Sequence, residues 1–162
     1  MRFRNEVVIH GSRLTVIDVA IDKANELLDI NSEMVNHCIE KKDWKYGVQS
    51  GAEVAVKLGR NDLIVPIQLY YARNPRSAQT AAWDGKRIGI NGYWLSELDY
   101  IRDRNHYNVI LGAIIHEWAH ACGFHHQDSG IWGYFKRNYW SEHKSKHSVP
   151  YHLSDNIGLW VK

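Results

Sequence analysis

Two cysteines in 162 residues, Cys38 and Cys122, leave no disulfide framework, so the fold of this chain must be held by a buried core. No apolar run approaches the roughly 20 residues that a membrane span needs, and no membrane partner is expected. Met1 to Glu6 lead into only a short apolar stretch, broken by His10, Gly11, Ser12 and Arg13, which lacks the hydrophobic segment of a secretory signal. These absences point to a reducing cytoplasm, although a chain exported by a dedicated secretion system, or a mature form whose leader was removed, reads the same. Charge of one sign is also scarce. The formal net charge is +2, with Lys and Arg scattered apart from Lys41-Lys42, Arg102 to Arg104 and Lys144 to Lys146, so a nucleic-acid partner is not expected. Repeats, low-complexity tracts and linkers are missing, which makes 1–162 one expected domain; no signal bears on oligomeric state. Methionine is confined to Met1 and Met34, a shortage that matters below.

Hydrophobic residues make up 44% and charged residues 23%, the balance of a globular chain. Against it stands an abundance of histidine, ten in all, with four of them in the stretch from His116 to His126. That stretch reads H-E-x-x-H-x-x-G-x-x-H. On a helix, residues four apart share a face, so His116 and His120 can present ring nitrogens to one ion. Glu117 is turned aside from the ion, where a carboxylate can hold a metal-bound water and take its proton. Gly123 can end the helix at positive φ without a Cβ clash, which lets the chain turn and His126 return to the metal. From this composition, an accidental match to the full pattern is expected on the order of once in ten thousand such chains. His125 competes with His126 for the third place. The spacing from His116 and the glycine three residues earlier favour His126.

Around the motif, Leu14 to Leu28 carries apolar residues at intervals of three and four and predicts an amphipathic helix. Ser32 could cap a second, from about Glu33 to Lys41. Ala52 to Leu58 and Leu63 to Tyr71 are rich in Val, Ile and Tyr and read as strands joined by a turn at Gly59 to Asp62. Pro66 suits an edge or irregular strand better than a central one. Asp84-Gly85 predicts a two-residue hairpin turn between Thr80 to Trp83 and Lys86 to Asn91. From Tyr107 to Cys122 apolar residues cover nearly every face, which predicts a central, buried helix.

The motif, entered from a buried helix and preceded by a hairpin, resembles the metzincin clan of zinc metallopeptidases over about eleven residues. The coarse order of elements is similar over most of the chain. The resemblance implies an α+β fold: a twisted, mostly β N-terminal sheet, a buried active-site helix and an irregular C-terminal part. It implies Zn2+ held by His116, His120 and His126, with peptide bonds hydrolysed by an activated water and Glu117 as general base and later proton donor. A protein or peptide substrate would lie extended along an edge strand, either Gly89 to Asn91 or Gln79 to Trp83. The departure is the missing Met-turn, since neither methionine follows the third ligand. Ser148-Val149-Pro150-Tyr151-His152 most nearly resembles that turn, and Tyr151 is then a candidate donor to the tetrahedral intermediate.

The gap before the third histidine also looks like that of the compact SprT-like proteases, which act near DNA and in which the chain re-enters helix after the last ligand; Trp132 to Trp140 could be that helix. A third reading is a binding module with a structural zinc, its fourth position closed by Cys38, His125 or His152. Asp128 is a candidate acceptor for an imidazole N–H. Trp94, Trp132 or Trp140 could line a specificity pocket.

Overall fold

The computed structural model describes residues 2–9, 11–13, 15–44, 48, 50–71, 80–92, 95, 104–126 and 148–161. Strand β1 (Phe3–Asn5) and a small antiparallel pair, β2 (Val8–Ile9) and β3 (Ser12–Arg13), lead into helix α1 (Thr15–Leu27). Ile17, Ala20, Ile21, Ala24 and Leu27 are buried, the stripe that the spacing predicts. Helix α2 (Glu33–Glu40) begins where Ser32 Oγ accepts the Val35 N–H at 3.1 Å.

The segment Gly51–Leu58 is a helix, α3, where composition predicts a strand. Local chemistry accounts for the difference. Ser50-Gly51-Ala52-Glu53 is a capping-box sequence: Ser50 Oγ accepts the Glu53 N–H at 3.2 Å. Glu53 then pairs with Lys57 one turn on, and Gly51, Val54, Ala55 and Leu58 form the buried stripe. Gly51 is required by packing, because a Cβ there would lie 2.3 Å from the Cys38 carbonyl oxygen and 2.4 Å from that of Ile39. Both obstacles are backbone at the end of α2. Gly51→Ala is therefore expected to destabilise the fold by about 2 kcal/mol or more, read as a lower denaturation midpoint; an unchanged midpoint would contradict this close approach.

Arg2 ties these helices together. Arg2 is only 6% exposed, and its guanidinium donates to the carbonyls of Asn25 and Leu28 at the end of α1 and of Gly59 and Arg60 after α3. One side chain thus satisfies carbonyls that two helix ends leave without intrahelical partners.

The main sheet has the order β1-β4-β6-β5, with β4 (Val65–Tyr70), β5 (Ala81–Trp83) and β6 (Ile88–Asn91). β4 runs parallel to both neighbours, so Pro66 lies in an interior strand, contrary to expectation. Its missing donor is tolerated for a positional reason. Val65 N–H donates to Arg2 and Glu6 N–H donates to Ile67, so the odd-numbered residues bond to β1 and Pro66 faces the other way. Pairing on that side begins only at Ile67 opposite Ile88. The β5–β6 hairpin forms as expected, but its turn is displaced by one residue. Asp84 N–H donates to Arg87 O across Gly85, which has φ +94°, and Lys86, while Asp84 Oδ1 accepts from both Lys86 and Arg87.

The motif helix, α4 (Arg104–Ala121), crosses the sheet and buries Ile110, Leu111, Ile114, Ile115, Trp118 and Ala119. Trp118 packs edge-on against Phe3, with ring centroids 5.1 Å apart, and donates its indole N–H to Leu58 O at 3.0 Å. This fixes the helix against both sheet and α3. A last helix, α5 (Val149–Asp155), followed by a 3-10 turn at Ile157–Leu159, lies against α4 at Gly112, where a Cβ would meet Ser154 O at 3.3 Å. The fold is α+β, with five helices and a four-stranded sheet among the described residues. Its N-terminal part is more helical than the sequence suggests, and residues 148–161 are helical rather than irregular. Among the described residues no helix is long and apolar enough to cross a membrane.

Candidate metal centre

His116 and His120 stand one turn apart on α4, and the helix stops immediately after them. Gly123, at φ +89°, donates to His120 O, and Phe124 N–H reaches back to Ala119 O. These two bonds form a Schellman motif with glycine at the left-handed position, as the sequence predicts. The chain then delivers His126 over the helix end. Its Nε2 lies 3.2 Å from His116 Nε2 and 2.9 Å from His120 Nε2. Tetrahedral coordination at zinc–nitrogen distances of about 2.05 Å places donor atoms about 3.3 Å apart, so the three nitrogens converge at the spacing of one ion. The trio can bind a metal ion, and it is the one such group among the described residues. Spacing favours His126 over His125, and the structure places His126 in the cluster and leaves His125 exposed.

The far side of each α4 imidazole is held as a metal ligand requires. His120 Nδ1 is 2.7 Å from Phe124 O, and His116 Nδ1 faces Ser154 Oγ at 3.3 Å, with the Pro150 backbone carbonyl also interacting with the His116 ring. A carbonyl can only accept, so His120 Nδ1 carries the proton and leaves its Nε2 lone pair facing the other rings. Burial, reinforced by neighbouring His120, pushes His116 down to about 4, and burial also lowers His120. Neutral rings are thus available at ordinary pH.

Glu117 is 7% exposed, and burial raises its pKa to about 7 against the opposing pull of a hydrogen bond from the Trp83 backbone N–H. That bond joins the motif helix to the sheet edge. In the β5–β6 ladder, Asn91 N–H donates to Thr80 O and Asp84 N–H to Arg87 O. The alternating residues Ala81 and Trp83 therefore direct their backbone groups away from β6, toward the side on which no further strand pairs among the described residues. Among the described residues β5 is the edge strand and β6 is interior.

Tyr151 packs against the ligands themselves, its ring centroid 4.3 Å from that of His126 and 4.9 Å from that of His116. Burial raises its pKa, with Asp155 and Glu117 adding to the effect. The segment from Ser148 to His152 thus reaches the centre, as the first turn of α5 instead of a tight turn, and its Pro150 contributes a carbonyl. Cys38 and His152 lie elsewhere. Cys38 is buried in α2 with its thiol pushed up to about 12, and His152 stacks on His37 at 5.3 Å. Asp128, Trp94, Trp132, Trp140 and the expected helix from Trp132 to Trp140 lie outside the described residues. Four contributors carry no motif: the Trp83 amide, the Phe124 carbonyl, Ser154 and, on the wall of the adjoining cavity, Asn108. Only a helix at 149–155 would have revealed Ser154, one turn beyond Pro150.

No protein-family model matches this chain, and neither a curated protein nor a solved structure shows significant similarity to it.

Proposed function

We propose that this chain is a zinc-dependent endopeptidase. The observation that carries the reading is the convergence of three imidazole Nε2 atoms beside a buried carboxylate that is itself bonded to the edge strand of the sheet among the described residues. His116, His120 and His126 would hold the zinc, whose Lewis acidity polarises a water molecule and the scissile carbonyl. Glu117, shielded from bulk water, takes a proton from the attacking water as its oxygen bonds to the carbonyl carbon. As the C–N bond breaks, Glu117 returns that proton to the departing amine, leaving a carboxylic acid and an amine. A substrate segment in extended form finds backbone partners at Ala81 on the β5 edge, the recognition mode in which a peptide adds a strand to a sheet. Tyr151 lies within the same wall, where its hydroxyl is the candidate donor to the tetrahedral oxyanion.

Tyr151→Phe separates the two contributions of that residue. The ring contacts are retained, so metal content is expected to persist while kcat falls about tenfold or more; an unchanged kcat would assign Tyr151 to packing alone. The peptidase reading is checked by incubating the zinc-loaded protein with an unstructured protein and mapping new termini by mass spectrometry. Cleavage lost to a chelator, restored by zinc and indifferent to added DNA is the expected result.

Zinc binding also has a proton signature. Near pH 6 the Glu117 carboxyl, with its pKa of about 7, is mostly protonated, and a nearby cation favours the carboxylate. Binding at pH 6 should therefore release about one proton from this group, and less as pH rises through 7. Calorimetry in buffers of different ionisation enthalpy reads that release. Glu117→Gln should abolish the Glu117 share, and equal release from both proteins would contradict it.

A further inference from the structure

Helix α5 meets the metal centre through Tyr151, Pro150 and Ser154. The Tyr151 ring packs against those of His116 and His126, the Pro150 carbonyl interacts with the His116 ring, and Ser154 Oγ lies 3.3 Å from His116 Nδ1. A helix of seven residues is too short to be stable by itself, so its contacts decide where it sits. One of them is a close approach to α4. At Gly112, one turn before His116, a Cβ would stand 3.3 Å from Ser154 O and 3.6 Å from Ile157 Cγ2. The residue at which α5 comes closest to Gly112 is thus also the one whose side chain meets a ligand, Ser154.

The Ser154 hydroxyl stands between two groups, 3.3 Å from His116 Nδ1 and 3.3 Å from the Tyr151 carbonyl, which can only accept. A neutral imidazole carries one proton, on either nitrogen. With that proton on Nε2, Nδ1 is an acceptor and competes with the Tyr151 carbonyl for the single hydroxyl proton. With it on Nδ1, the ring donates to Ser154 while Ser154 donates to the carbonyl, and both bonds form together. A metal ion on His116 Nε2 excludes the first arrangement and enforces the second. We propose that Ser154 is a positioning residue that couples the metal to α5: occupancy of the centre fixes α5, and with it Tyr151, and the docked helix in turn tightens the hold on the metal. Such coupling is reciprocal, the same factor acting in both directions. It rests on the metal-binding part of the proposed function and not on peptide cleavage.

The test compares metal-free and zinc-loaded protein by hydrogen exchange, read by mass spectrometry on the peptide spanning 149–155, with zinc affinity measured by competition against a chelator. Zinc is expected to slow exchange in that peptide about tenfold or more. Ser154→Ala should lose most of the slowing and bind zinc about tenfold more weakly, and Ser154→Thr, which keeps the hydroxyl, should restore both. Gly112→Val acts from the α4 side: its side chain would press on Ser154 O, speed exchange in α5 and weaken zinc binding. The proposal is overturned if zinc leaves exchange in the peptide unchanged, or if the slowing persists in Ser154→Ala, the sign of general stabilisation by the metal. Faster exchange of α5 in Gly112→Val at unaltered zinc affinity would overturn it equally. Coupling in a protein that cleaves no peptide would keep this inference and remove the peptidase, and cleavage without coupling would do the reverse.

Discussion

Glu117→Gln is expected to lower peptide cleavage by three orders of magnitude or more while leaving the fold and its zinc in place. The amide is nearly isosteric with the carboxyl and can still accept the Trp83 N–H, so the junction between α4 and the sheet edge survives. What the amide lacks is a lone pair basic enough to take a proton from water and return it to a leaving amine. General acid and base roles contribute about a hundred- to ten-thousandfold each, and in the proposed mechanism one residue fills both. Burial makes the loss steeper, since little bulk water can reach the position to act as a substitute. The measurement is kcat/KM on a cleaved peptide, with zinc content and thermal midpoint as controls. Cleavage reduced only severalfold, with zinc still bound, would remove Glu117 from the chemistry.

His126→Ala should weaken zinc binding on the order of a thousandfold. Deleting one of three ligands leaves the pair on α4, and a two-imidazole site gives up a full metal–nitrogen bond worth several kcal/mol. The fold should tolerate the change. His126 follows the end of α4, is not fully buried, and touches the rings of His116, His120 and Tyr151. Competition with a zinc-responsive chelator reads the affinity, and circular dichroism the fold. His125→Ala is the matched control: its exposed ring should leave affinity almost unchanged, and the opposite ranking of the two variants would exchange their roles.

The metal centre was more legible in the sequence than the scaffold around it, for a physical reason. The convergence of three imidazoles from a helix and the turn after it is local: four-residue spacing sets His116 and His120 on one face, and Gly123 sets the return of His126. All three follow from short-range geometry. The α1 stripe, the Ser32 cap and the buried character of α4 are equally local and equally readable. The segment 51–58 was obscured because its valines outweigh its helix signals in composition, although Ser50 and Glu53 spell a capping box. Pro66 misled because its cost depends on which side of a strand carries the next ladder, a matter of sheet order. The parts of the site held by distant chain, namely the Trp83 amide against Glu117, Ser154 and Pro150 against His116, and Tyr151 beneath two ligands, depend on how the hairpin and α5 dock on α4. No spacing encodes that docking. Tyr151 illustrates the point, since its place against the His116 and His126 rings follows from its position on the first turn of α5.

X-ray absorption at the zinc edge, on protein equilibrated with zinc and freed of excess metal, tests the centre most directly. One zinc per chain with three imidazole nitrogens near 2.0–2.1 Å and an oxygen completing the shell is the expected result. A folded chain that retains no zinc, or a zinc whose shell contains sulfur or fewer than three imidazoles, would contradict it.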